Sequence, residues 1–327
     1  MVSSKPESGI PDSLKNRKFK SIAKSKLTER FVTALLGLCA LISVATTTGI
    51  VFVLVSESSG FFLSENISLA QYLTPGEWEF GRLKSDEVES DVVIKHSIWP
   101  LLSGTLRITM VAMCIAIPLG LVSAVYLSEY APERVRSVLK PILEILAGIP
   151  TVVLGYFALR FISPYLLQPL GGFDSFNAAS AGIAVGILCI PLVSSLTEDS
   201  LQAVPKGLRE AAFGLGGTRF DVTCKVVLPA ALSGVVSAFL LAFARAVGET
   251  MVVALAAGTN PVLTADIRQP SQTMTGYIVE TFQSEGVVPG TVQYYSIYAV
   301  AITLFALTFS ITLLGQWVRK RYQESYH

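Results

Sequence analysis

Residues Glu210 to Glu249 read EAAFGLGGTRFDVTCKVVLPAALSGVVSAFLLAFARAVGE. The stretch changes character near its middle. Up to Lys225 it is polar, with glycines at 214, 216 and 217, and a Leu228-Pro229 pair closes it. This half reads as a short helix, a glycine-permitted turn and a second helical piece, with Pro229 opening the next helix. The other half is apolar except for Arg245 and Glu249. Their i, i+4 spacing puts both on one face of a helix, and Ala242 and Ala238 continue that face. The charged side is therefore expected to face protein or a cavity. A charge at bilayer depth costs at least about 2.5–3.5 kcal/mol on insertion scales, so such residues pair with each other or mark a pathway. A guanidinium fork suits an oxyanion, and a carboxylate nearby would offset the attraction and let the ion leave. The competing reading is a salt bridge that only satisfies itself, although Arg before Glu is the poorer order for one.

Working outward, the chain has 327 residues, 51% of them hydrophobic and 15% charged. Soluble domains carry about 25% charged residues, so the deficit points to a membrane protein. The net charge of +1 gives no basis for nucleic-acid binding. Residues 31–55 carry no charge over 25 positions, enough for a first membrane span and too long for the core of a cleaved signal peptide. Further apolar runs lie at about 102–128, 138–163, 179–197, 230–257 and 294–318, which predicts an all-α polytopic protein with six spans. Lys and Arg number eight in residues 1–30, three in 129–140, four in 198–225 and three after the last span, eighteen in all, against four in the other loops. That asymmetry places both termini in the cytoplasm. The expected organisation is a cytoplasmic tail (1–30), a first span (31–56), an acidic periplasmic loop (57–97), a permease domain (98–320) with a cytoplasmic helix at 204–217, and a short cytoplasmic tail (321–327). Pro75, Gly76 and Trp78 point to local structure in the acidic loop.

Ala112, Ala116, Gly120 and Ala124 recur every four residues in the second span, and Gly182 and Gly186 do so in the fourth. Small residues let helices approach closely in lipid. Pro118 and Pro150 are expected to interrupt the second and third spans, with a kink over Ala147 to Thr151. Arg107 and Arg160 lie near span ends and can snorkel; Glu144 lies near the inner end of the third span. The chain has no GxxxxGK[ST], HExxH or GxSxG, so no nucleotide, zinc or serine-hydrolase site is expected. The two histidines are His96 and His327, and the four cysteines are widely spaced. No catalytic residue, metal site or bound cofactor is expected, which argues against an intramembrane enzyme.

Glu210-Ala211-Ala212, Gly216 at the seventh position, nine residues, then Val226-Val227-Leu228-Pro229 resemble the EAA motif of permease subunits of bacterial ABC importers, with Val226 where that family has Ile. Arg245-Ala246-Val247-Gly248-Glu249-Thr250-Met251 resembles the RAxGETM stretch of PstC-type permeases of phosphate importers. Gly104-Thr105-Leu106, Ile117-Pro118-Leu119-Gly120, Tyr126 to Tyr130 and Leu146 to Val153 also resemble them, and coverage runs over about 98–320. The resemblance implies a type I importer permease fold. It implies ATPase coupling through Glu210, Ala211, Ala212, Gly216, Leu228 and Pro229. For the phosphate path it singles out Arg245 and Glu249, with Thr250 and Thr151 as weaker hydroxyl donors. The implied partners are a PstA-like second permease, two PstB-like ATPases that use ATP and Mg, a periplasmic PstS-like binding protein, and membrane lipid. A permease for sulfate or molybdate, and a regulatory subunit that senses phosphate, remain open beside it.

Overall fold

The computed structural model describes residues 12–64, 67–80, 95–284 and 287–322, with side chains from residue 29 to 321. Among these residues, regular structure is helical apart from one isolated bridge between Trp78 and His96. The chain divides into two compact units, residues 1–56 and 57–327.

The first unit is formed by most of α1 (Asp12–Phe62). Residues 12–30, expected as a tail, are helical, because no Gly or Pro interrupts the chain before the first span. Residues 1–11 of that tail lie outside the described ones. Within the span, the hydroxyls of Thr33, Thr46, Thr47 and Thr48 donate to carbonyls one turn earlier. Its polar side chains are thus satisfied by the helix itself.

In the second unit the core is a helix pair, α3 (Trp99–Val125) and α6 (Ala178–Gln202), reached after the short α2 (Leu69–Leu73). Ala112, Ala116, Gly120 and Ala124 are all buried. A Cβ on Gly182 would meet Val111 at 2.6 Å, one on Gly186 would meet the Ala112 carbonyl at 2.9 Å, and one on Gly120 would meet Val193 at 2.6 Å. Glycine is therefore what lets the two backbones touch. Contacting residue numbers rise together on both helices, so they run parallel, and residues 131–177 must carry the chain back between them.

That return is α4 (Glu133–Ala147) followed by α5 (Thr151–Phe157), which continues in wider geometry to Leu167 and closes in a tight turn at Gln168–Leu170. The two parts meet at 86° over Gly148-Ile149-Pro150, as expected of that proline. Pro118 does not act the same way: α3 passes through it unbroken, as membrane-spanning helices tolerate an internal proline. On α4, Arg136, Lys140 and Glu144 share one face, and Val138, Ile142 and Ile145 are exposed on others. The polar face is fastened to α6. Arg136 Nη2 lies 2.5 Å from Glu198 Oε1, Lys140 Nζ lies 3.6 Å from Oε2, and Gln202 Nε2 donates to Oε1 at 2.8 Å. Glu198 itself is only 1% exposed.

The remaining elements are α7 (Lys206–Gly214), α8 (Arg219–Val222), a wide turn, α9 (Leu228–Ala230), α10 (Leu232–Val247), α11 (Met251–Ala256), α12 (Met274–Gln283) and α13 (Val292–Tyr322). Among the described residues, four helices are long and apolar enough to cross a membrane, or six crossings if each of two bent pairs counts as one. The second bent pair joins Arg219–Ala230 to Leu232–Val247 at 71°.

The acidic loop is more structured than the sequence implies. Phe61, Tyr72, Trp78, Phe80 and His96 are buried, and Trp78 meets Tyr277 of α12 edge-on with centroids 5.1 Å apart. The Tyr72 hydroxyl donates to the Ala299 carbonyl of α13 at 3.0 Å. These aromatic residues turn a stretch of the loop into a packed cap. The acidic run 86–91 lies outside the described residues. Arg107 does not snorkel: its guanidinium donates to the Asp266 carbonyl at 2.5 Å and to Ser271 Oγ at 2.7 Å, tying α3 to the loop before α12.

Substitutions at two contacts test this packing. Gly186→Val should lower stability by about 1–3 kcal/mol through overpacking, seen as a lower thermal midpoint in detergent, whereas Gly37→Ala, with open space around its Cα, should not. Arg136→Ala should cost about 1.5–3 kcal/mol, the range for a hydrogen bond to a charged group, because Glu198 keeps Lys140 and Gln202, and the additional replacement Glu198→Gln should restore part of it.

Candidate functional site

Helix α10 runs antiparallel to α6. A Cβ on Gly234 would meet Ser200 near one end, and Cys189 Sγ lies 3.9 Å from the Ala242 carbonyl further along. Ala238 and Ala242 are buried, as their spacing implies. The helix then ends where the sequence implies that it continues. Val247 is its last residue, Gly248 caps it, and Glu249 and Thr250 belong to no helix before α11 starts at Met251. Arg245 and Glu249 are therefore not on one face of one helix. The break is held from outside: Thr275 Oγ1 of α12 donates to the freed Glu249 carbonyl at 2.7 Å, and the α12 amide of Met274 donates to Thr105 Oγ1 of α3 at 3.0 Å. An unsatisfied carbonyl at this depth would cost several kcal/mol, on the order of 4–8 by cyclohexane transfer.

Arg245 and Glu249 do not pair, so the self-satisfying salt bridge is absent. Among the described residues no ion pair or side-chain hydrogen bond engages either. Both lie within electrostatic range of Cys189. Glu249 is buried at 7% exposure. Arg245 instead opens into a cavity of about 410 Å³ between α4, α6 and α10. Lys140 and Glu144 line it from α4, and Ser194, Ser195 and Glu198 from α6, with apolar wall between them. Ser194 is fully buried and its hydroxyl has no partner. One guanidinium, one ammonium, the Glu144 carboxylate and the exposed Ser195 hydroxyl thus share a single space, with Ser194 buried in its wall and Glu198 engaged by Arg136 and Lys140.

Of the four path residues expected from the sequence, Arg245 lines this cavity and Glu249, Thr250 and Thr151 do not. Thr250 Oγ1 is turned to the Gly248 carbonyl at 3.2 Å. Thr151 begins α5 directly after the other break. The pieces that follow the two breaks pack together: a Cβ on Gly155 of α5 would meet Leu255 and the Val252 Cα of α11 at 3.1 Å. The start of α6 is closed to an anion, since Ala178 and Ala179 donate to the Gln269 and Ile267 carbonyls and Ser180 to Asn177 Oδ1. Lys140, Ser194 and Ser195 escaped sequence reading. The signal available was the four-residue repeat of Arg136, Lys140 and Glu144, which marks a polar face on a helix entering an apolar bundle.

The polar half of the opening stretch has the expected form. α7 is followed by Gly216 at φ +86°, where a side chain would be strained. Thr218 caps α8 through the Asp221 amide at 3.2 Å. A hydrogen bond from Lys225, with a second from Thr218, holds the Asp221 carboxyl down at about 2. Glu210 and Ala211 are exposed, Ala212 partly so, and Pro229 is exposed beside half-buried Leu228. Three apolar side chains stand out on this otherwise polar knuckle: Phe213, Leu215 and Phe220, with Leu215 91% exposed.

Residues 116–324 match the family described as binding-protein-dependent transport system inner membrane component. The chain is 29% identical to the probable ABC transporter permease protein YqgH of Bacillus subtilis, over 86% of this chain and 88% of that protein. It is 30% identical to the phosphate transport system permease protein PstC of Mesorhizobium japonicum, over 76% of this chain and 83% of that one. Among solved structures, a bacterial ABC transporter involved in import of the acidic polysaccharide alginate aligns over 94% of this chain and 100% of that chain, with a TM-score of 0.58 at 15% identity. The MetNI methionine ABC transporter in an inward-facing conformation aligns over 69% of this chain and 94% of that chain, with a TM-score of 0.52 at 20% identity. At these identities the structural likeness speaks for the fold. Permease subunits of this kind carry no nucleotide site of their own; hydrolysis belongs to a partner subunit. With its apolar spans, helix breaks and exposed knuckle, the chain belongs to the family of inner-membrane permease components of binding-protein-dependent ABC importers.

Proposed function

We propose that this chain is one of two permease subunits of an ATP-driven importer of inorganic phosphate. The observation that carries the reading is Arg245, a guanidinium near a helix break with no partner among the described residues, opening into a cavity that also holds Lys140 and Ser195. Relatives named as phosphate permeases of the PstC type support the choice of ion. The oxyanion would pass the break at Gly248 to Thr250 and enter the cavity from there. Glu249, Thr250 and Thr151 would shape the approach. An anion ~4 Å from one guanidinium gains ~4 kcal/mol at an effective dielectric of ~20. Taken whole, that caps the affinity near a Kd of ~1 mM, and the cost of association with the nearby Glu144 and Glu198 weakens it further, which favours release.

The positive-inside count puts the α7 knuckle in the cytoplasm. There Glu210, Ala211, Ala212 and Gly216 would seat in the ATPase, with Phe213, Leu215 and Phe220 as apolar anchors, and Leu228 and Pro229 would shape the return into the membrane. The partners would be a PstA-like permease, two PstB-like ATPases consuming ATP with Mg, and a PstS-like binding protein. One guanidinium with hydroxyls does not distinguish tetrahedral oxyanions, so sulfate or molybdate is the second reading.

Two measurements test this. In vesicles carrying the assembled complex, labelled phosphate should accumulate with ATP only when this chain is present, and excess sulfate should not compete. Competition by sulfate would favour the second reading, and uptake without this chain would make it a sensor. Leu215→Ser should abolish co-purification of the ATPase while the two permeases remain associated; retained ATPase would contradict the docking assignment.

A further inference from the structure

The bend of 71° between α9 and α10 separates the knuckle from the helix that carries Arg245. A wide turn at Thr223–Val227 interrupts the α-helical geometry of the same connection. A second connection is shorter and built from one side chain. Arg209, on α7, is 18% exposed, and Glu129, in the wide turn that ends α3, is 13% exposed. Arg209 Nη2 lies 3.0 Å from Glu129 Oε1 and donates to the Leu201 carbonyl at 2.6 Å, and Nη1 donates to the Val204 carbonyl at 3.3 Å. Ser128 Oγ also donates to Glu129 Oε1, at 3.0 Å. The Leu201 and Val204 carbonyls lie at the C-terminal end of α6, where helix carbonyls lack helical partners and a cation is favoured by the dipole. One planar guanidinium therefore joins α3, α6 and α7, which a single ammonium could not span in the same way.

We propose that Arg209 is a positioning residue that makes the α7 knuckle move as one body with α3 and α6, so that a push on α7 shifts the α6 wall of the cavity. α6 carries Ser194, Ser195 and Glu198 opposite Arg245. On this account force reaches the anion site sideways, through Arg209 and α6, rather than along α9 and α10. The inference rests on α7 being the ATPase contact. An apolar cluster that includes Leu201, Val204, Val222 and Val227, with Leu208 packed against it, also holds the knuckle. The variants must therefore remove the fork and leave that packing alone.

The test uses the whole complex in vesicles, with phosphate uptake and ATP hydrolysis measured together. Arg209→Met keeps most of the side-chain volume and removes the donors. It should still bind the ATPase and hydrolyse ATP, while phosphate imported per ATP falls about tenfold, within the usual range of coupling free energies. Arg209→Lys keeps the charge without the fork and should give an intermediate ratio; Glu129→Gln should lower the ratio too. An unchanged ratio in Arg209→Met, or hydrolysis and uptake falling in step, would overturn the proposal. Should Arg209→Met fail to assemble, an unchanged ratio in Arg209→Lys overturns it equally. Leu215→Ser separates the two levels: if it retains the ATPase, the reading of α7 itself fails, whereas loss of the ATPase there with a normal ratio in the Arg209 variants refutes only the inference.

Discussion

The close parallel contact between α3 and α6 sets the position of everything else in the larger unit. It exists because Gly120, Gly182 and Gly186 leave no side chain in the way. In lipid there is little hydrophobic drive between helices, so backbone proximity and dispersion carry the association. Once the pair is formed, α6 serves as the mounting for its neighbours. Glu198 fastens α4, Ser200 and Cys189 meet α10, and the Leu201 and Val204 carbonyls hold Arg209 of the knuckle. At its other end Asn177 and the carbonyls of Ile267 and Gln269 close the helix start.

Against this mounting, two spans break near mid-bundle. Each break frees backbone groups that an apolar medium will not solvate, and each is tolerated because protein supplies a partner or a cap. Thr275 does so for Glu249. The break at Gly248 to Thr250 therefore depends on an element distant in sequence. The consequence for charge is direct. Had α10 continued unbroken, Arg245 and Glu249 would share a face and could neutralise one another. With the helix ended at Val247, the carboxylate is buried and the guanidinium turns to the cavity, available to a third party. Specific recognition of an oxyanion by so few groups would be weak, which suits a path more than a receptor.

The sequence reveals those parts of the molecule that depend on local composition. Long apolar runs, the small-residue ladder and the 86° break at Pro150 were all legible, since each has a local cause. The break at Gly248 to Thr250 was not, because no proline marks it and the i, i+4 spacing of Arg245 and Glu249 is itself helical. Its cause is a hydroxyl 26 residues away. The cavity was hidden for a similar reason: Lys140 reads as the end of a span, and Ser194 and Ser195 as ordinary helix residues, until α4 folds onto α6. Pro118 shows the opposite error, a local breaker signal inside a helix that runs on through it. The aromatic cap of Tyr72, Trp78 and Tyr277 required pairing residues about two hundred positions apart, which no local pattern encodes.

The claim on which the account turns is that Arg245 touches the ion. Arg245→Ala, assembled with its partners and reconstituted in vesicles, tests it most directly. ATPase binding and complex size should match the wild type, because Arg245 has no ion-pair or side-chain hydrogen-bond partner among the described residues to lose. ATP-driven phosphate uptake should fall by about 100-fold or more, as expected when a charged group acting on a charged ligand is removed from a site of low dielectric. Uptake at the wild-type rate by an intact complex would contradict the account.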